Sequence, residues 1–153
     1  KGMGYMLKVI SKSDVEKFVG NRKHVSQMSD AEINGLFERL KSVEANGKQW
    51  NISKHALDRI SEKGINATYE DVVSSIHNST IVEYKIDQAK FGNTPDERVV
   101  IRAKSVVNRS YNLNVVYSLT NRKVITVWVN HIKDRHSTLD WSIYNKDMMV
   151  FGV

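Results

Sequence analysis

At 153 residues, with 41% hydrophobic and 26% charged residues, the chain suits one folded domain, long enough to bury a core without help from a metal or disulfide. It has no cysteine and a formal net charge of +6, which excludes a disulfide framework and any Cys-based zinc site and favours polyanionic partners. No run reaches the roughly 18–20 apolar residues of a membrane helix and none has the form of a secretory h-region, so a cytoplasmic site of action with no membrane partner is expected.

Ser13 and Asp14 can cap a short helix running to about Val19, stopped by Gly20. Residues 21–28 read as a polar connection. Ser29-Asp30-Ala31-Glu32 then has the Ser-x-x-Glu form of a capping box. Ile33, Leu36, Phe37, Leu40 and Val43 follow at helical spacing, which predicts a helix with one buried face, ended at Asn46-Gly47. An extended piece near residues 49–52 leads into Ser53, the cap of a helix from Lys54 to about Lys63 that buries Ala56, Leu57 and Ile60 and stops at Gly64. Thr68 caps a third helix, Tyr69 to Ile76, with Glu70 and Asp71 in the first turn, where the helix dipole favours acids.

The period then changes. Ile81 to Ile86, Arg98 to Val106, Tyr111 to Leu119 and Val124 to Asn130 are rich in β-branched and aromatic residues and predict strands. A loop from Asp87 to Glu97 holds the only proline, Pro95, and Asn121-Arg122 reads as a hairpin turn. The tail, residues 131–153, is expected to pack back on the sheet through Trp141, Tyr144 and Phe151. The fold class is therefore α+β, with N-terminal helices packed on a four- to five-stranded antiparallel sheet. Residues 1–48 are expected to form a helical extension and residues 49–153 the α+β domain.

Side chains alternate along a strand, so each strand divides into two lists. Val99, Ile101 and Ala103 oppose Arg98, Arg102 and Lys104. Tyr111, Leu113, Val115 and Tyr117 oppose Asn112, Asn114 and Ser118, and Ile125, Val127 and Val129 oppose Thr126, Trp128 and Asn130. From Arg98 through Lys133 the chain carries seven basic residues and no acidic one. A sheet face with cations, amides and a tryptophan suits RNA, because cations hold phosphates, amides read base edges and aromatic rings stack bases. Arg59, Arg98, Arg102, Lys104, Trp128 and Asn130 are the candidate RNA-binding residues. An ordinary solvent-facing sheet fits the same pattern.

Two clusters could carry chemistry. His55 and Arg59 lie at i and i+4 of one helix and project together. The segment Asn130-His131-x-x-Asp134-x-His136-x-Thr138-Leu139-Asp140 follows the last strand, where polar groups can line a cleft. A metal-independent ribonuclease needs a base for the 2′-hydroxyl proton, an acid for the leaving oxygen and groups that stabilise the charged phosphorane. His55 and His136 could share the first two roles, and Arg102, Thr138 and Tyr144 the third. His131, Asp134, His136 and Asp140 are competent metal ligands, yet they match no zinc signature, and loop capping by Asp134, Ser137 and Thr138 accounts for the same residues. No nucleotide-binding, dinucleotide-binding or serine-hydrolase motif occurs, so neither a metal nor a small-molecule cofactor is expected.

The stretch from Ile52 to Tyr84, with Ser53-Lys54-His55-Ala56-Leu57-Asp58-Arg59, Gly64-Ile65 and Asp71-Val72 leading to a strand, resembles small bacterial domains that open with a His-Ala-x-x-Arg helix. These are grouped with the barnase/EndoU/colicin/RelE-like ribonuclease toxins. The segment from Val124 to Tyr144 resembles parts of phage-encoded and polymorphic-toxin proteins, and the two together cover about half of the chain. The resemblance implies a toxin- or phage-type endoribonuclease acting through a sheet face, with RNA as substrate and a protein inhibitor as a further partner. On that expectation His55, His136, Thr138 and Tyr144 are catalytic. The alternative is a non-enzymatic phage or mobile-element protein that binds nucleic acid or a host protein.

Overall fold

A computed structural model describes residues 12–88, 94–105, 107–135 and 139–153. The chain is α+β: helix α1 (Lys12–Glu16), strand β1 (Arg22–His24), helix α2 (Asp30–Ala45), strand β2 (Asn51–Ile52), helices α3 (Lys54–Ile60) and α4 (Tyr69–Ser74), then strands β3 (Ser79–Asp87), β4 (Asp96–Lys104), β5 (Tyr111–Ser118) and β6 (Lys123–His131). The strands form one sheet in the order β1-β3-β4-β5-β6-β2, antiparallel except where β2 runs parallel to β6.

The expected four to five strands are six. Both additions come from the half of the chain whose pattern is helical: β1 lies within the polar residues 21–28, and β2 is the extended piece before Ser53. The helices are thus not a block ahead of the sheet, and a 3-10 turn, Trp141–Ile143, follows the last strand.

Helix starts follow their caps. Ser29 Oγ accepts from the Glu32 amide at 3.1 Å while Glu32 Oε1 accepts from the Ser29 amide at 2.9 Å. The Glu32 carboxylate also takes the Lys23 ammonium at 3.1 Å, and Lys23 donates further to the Met148 carbonyl at 3.0 Å. Lys23 points from β1 into the core side, where these partners stand in for water. Leu36, Leu40 and Val43 of α2, Ala56 and Ile60 of α3 and Val72 of α4 bury against Tyr84, Val99, Ile101, Val115, Tyr117 and Val127 of the sheet in one apolar cluster. Residues on both sides of position 48 share that cluster. Leu57, expected in the core, is exposed. On α3 the buried stripe is Ala56 and Ile60, and Leu57 stands about 100° round from Ala56.

A charged group also sits in this core. Arg39 of α2 grips the Glu97 carboxylate of β4 through two bonds, at 2.9 and 3.2 Å, and donates to the Phe151 carbonyl at 2.8 Å. Tyr84 adds its hydroxyl to Glu97 at 2.6 Å. Burial and the neighbouring Glu97 push the Tyr84 phenol well above its usual range, so it stays a donor. One cluster thereby joins α2, β3, β4 and the chain's last residues.

Among the described residues, strand β6 has a strand neighbour on its outer side only at Lys123 and Val124, where β2 pairs. Helix α3 covers the next part. The Ser53 amide donates to the Val124 carbonyl at 2.9 Å, Ser53 Oγ to Ile125 O at 2.8 Å and Arg59 Nε to Val127 O at 3.3 Å. A bulge where β5 and β6 pair, between Val116 and Tyr117, shifts the alternation, so Val124 and not Ile125 enters the core.

Candidate functional site

The sheet face away from α2, α3 and α4 carries the polar list. Register aligns residues across it in rows. One row runs His24 (β1), Glu83 (β3), Val100 (β4), Val116 (β5) and Thr126 (β6). The next runs Thr80, Arg102, Asn114 and Trp128.

At the β1 end lies a constellation that the sequence did not announce. His24 and Glu83 are directly opposed across an antiparallel pair, a placement that brings Cβ atoms to about 4.5–5.5 Å. Glu83 is 8% exposed. Its Oε1 accepts from the Tyr144 hydroxyl at 2.8 Å and its Oε2 from Arg22 at 3.2 Å. Tyr144 is delivered by the tail, which forms a bridge to Arg22. Burial, together with Glu83, pushes the Tyr144 phenol up to about 12, so it remains a donor at neutral pH.

His24 Nδ1 accepts from the Ser26 amide at 3.1 Å and lies 2.8 Å from Ser26 Oγ. The ring packs edge-on to Trp141 and Tyr144, with centroids 5.1 and 5.4 Å away. Burial lowers the His24 pKa from its ordinary value; Glu83 opposes the shift and Arg102 adds to it. Arg102 lies on β4 in the next row of the same face. Its own pKa is lowered by burial, against the pull of Asp134, but a guanidinium stays charged at neutral pH. Asn114, fully buried, orients it: Arg102 Nε donates to Asn114 Oδ1 at 2.9 Å, while Asn114 Nδ2 donates to Asn130 Oδ1 and towards the Trp128 carbonyl.

The other expected residues are distributed around this face. Trp128 is exposed on it. Arg98 is neutralised: Nε meets Asp96 at 2.8 Å and Nη1 meets Asp87 at 3.2 Å, so it contributes little free positive charge. The acid-free run from Arg98 to Lys133 thus meets its acids across the β3–β4 pair, where Asp87 opposes Asp96. Lys104 is exposed in a separate hollow of about 390 Å³ with Arg109 and Asp71. Arg59 is engaged by Glu62 and the Val127 carbonyl at the outer edge of β6. His55 Nε2 lies 3.1 Å from Thr126 Oγ1, at the far end of the row that begins with His24. His136 and Thr138 lie outside the described residues. Among the described residues no group of three or more His, Asp or Glu could hold a metal ion, and no helix is long and apolar enough to cross a membrane.

His24 and Arg22 escaped sequence reading because β1 is three residues long and has no apolar alternation. Glu83 did leave a signal: an acid within a β-branched run, where carboxylates are disfavoured. Compared with protein-family models, curated proteins and solved structures, the chain matches none.

Proposed function

We propose that the protein is a metal-independent endoribonuclease centred on His24 and Glu83. The single observation that carries this reading is their direct cross-strand opposition, with Tyr144 and Arg22 bonded to Glu83. Both donors favour the ionised carboxylate, which has acceptor capacity for a substrate hydroxyl. Glu83 accepts the 2′-hydroxyl proton, the 2′-oxygen attacks phosphorus, and the bond from phosphorus to the 5′-oxygen breaks. Protonation of His24 Nδ1, which displaces the Ser26 amide bond, gives the imidazolium that supplies the proton to that oxygen, leaving a 2′,3′-cyclic phosphate and a 5′-hydroxyl. Arg102 and Arg22 stabilise the charge that develops on the phosphorane. The toxin-type resemblance of the α3 segment supports the same reaction class, with His55 away from the reacting atoms.

The test is incubation of single-stranded RNA with the protein in chelator, with the product ends identified. Cyclic phosphate ends are expected, and His24→Ala should lower the rate by about 10²–10⁴, the usual contribution of a positioned acid or base. Absence of product, or product only with added divalent metal, would refute the proposal. A second reading, a nucleic-acid binder without catalysis, is favoured by the burial of Glu83 and the two donors that already hold it. It predicts salt-sensitive binding and no cleavage.

A further inference from the structure

A cavity of about 920 Å³ lies at the opposite end of the same face, between the start of α3, the Leu119–Arg122 turn and the facing ends of β4 and β6. Ser53, His55, Arg98, Asn121, Lys123 and Thr126 line it. Its charge is close to balanced, because Arg98 is paired with Asp96 and Asp87 while Lys123 appears in no ion pair among the described residues. Hydroxyls, an amide and an imidazole outnumber unpaired cations. Such a lining suits a nucleobase and its sugar, with one phosphate, better than a run of phosphates.

Position adds a second argument. From His24 to Thr126 the row crosses four strand-to-strand steps, about 19 Å at the usual spacing, and His55 is bonded to Thr126 at its end. Val100 and Val116 lie between His24 and Thr126 in the row and are both buried. Trp128 stands beside Thr126 on the same face, exposed and available for stacking.

We infer that this cleft is a subsite for a nucleotide of single-stranded RNA several positions away from the scissile phosphate, with Trp128 stacking a base on the way. The inference rests on the ribonuclease reading and extends it to substrate length and strandedness. His55 and Lys123 hold the distal nucleotide and take no part in bond cleavage.

The experiment compares a dinucleotide with a single-stranded octanucleotide, as kcat/KM and as binding measured by fluorescence anisotropy. Wild-type kcat/KM should be at least ten-fold higher on the octanucleotide. His55→Ala combined with Lys123→Ala should remove that advantage, leave the dinucleotide unchanged and raise the octanucleotide Kd by a similar factor. Loss of the Lys123 contact should lower the salt slope of octanucleotide binding by about 0.7. Equal loss on both substrates, no loss on the longer one, or tighter binding of a duplex of the same length would overturn the subsite. If the wild type cleaves neither substrate, the catalytic reading falls alone. Anisotropy then decides the subsite, which stands if the double variant weakens octanucleotide binding and falls if it does not.

Discussion

Replacing Arg39 by Met tests whether the Glu97 cluster is a desolvated ion pair or a solvated one. The guanidinium makes two bonds to Glu97 and one to the Phe151 carbonyl. Its side chain is 23% exposed and that of Glu97 10%. Without Arg39, the Tyr84 hydroxyl is the side-chain donor that Glu97 keeps among the described residues, and an uncompensated buried carboxylate costs about 3–5 kcal/mol. Partial exposure of the arginine argues for the lower end, about 3 kcal/mol. For a chain of this size each kcal/mol moves Tm by about 2–4 °C, so the expected fall is about 6–12 °C. Thermal and urea unfolding followed by circular dichroism would measure it. Lys17→Ala supplies the contrast: its pair with Asp14 is long, at 3.5 Å, and largely exposed, so the change should be about 0–1 kcal/mol. Adding Glu97→Gln to Arg39→Met removes the stranded charge while leaving an acceptor for Tyr84, and should recover more than half of the loss. A cost below about 1 kcal/mol for Arg39→Met, or strict additivity of the two changes, would refute the reasoning.

Because the His24 pKa is depressed in the folded state, protonation favours unfolding. Stability relative to His24→Asn should therefore be complete above about pH 6.5 and fall as pH drops through the folded-state value, as read from urea midpoints. Activity should run the other way, since the imidazolium is the acid: kcat/KM should decline with rising pH through a midpoint below 6.5, and a midpoint above it would remove His24 from that role. Gly35 of α2 lies against Val153, so that an added methyl would overlap it. Gly35→Ala should lose stability by calorimetry despite a helix-propensity gain of about 1 kcal/mol, and pairing it with Val153→Gly should restore that gain. Ile60→Ala should cost about 2–5 kcal/mol in denaturant unfolding, whereas Leu57→Ser, on the outer side of α3, should stay within about 0.5 kcal/mol.

Much of the scaffold was legible because local chemistry and tertiary structure agree. Ser29, Ser53 and Thr68 cap the helices they were expected to start. Val99, Ile101, Leu113, Val115 and Tyr117 bury as expected, but Val100, Asn114, Val116 and Ser118 on the opposite face are buried too. Departures arise where a short-range signal is too brief or is broken. Three residues suffice to make β1 when β3 offers a partner, but they carry no period. The bulge at Val116/Tyr117 exchanges Ile125 for Val124 because two residues oppose one there. For the candidate site, the strand lists correctly grouped Arg102, Asn114, Trp128 and Asn130 on one face. They could not reveal that His24 and Tyr144, distant from each other in the chain, converge on Glu83. That convergence depends on pairing between segments about 60 residues apart, which no local pattern encodes.

The covering of the sheet's two borders has a consequence for how the chain must be handled. Removing residues before 29 would strip β1 and leave the nine-residue β3 with a bare row of amides and carbonyls, a template on which other copies could add strands. Shortened versions of the protein should accordingly polymerise at concentrations where the intact chain remains dispersed. Helix α3 plays the equivalent part at the opposite border, so its melting would open a second route to the same fibrous end.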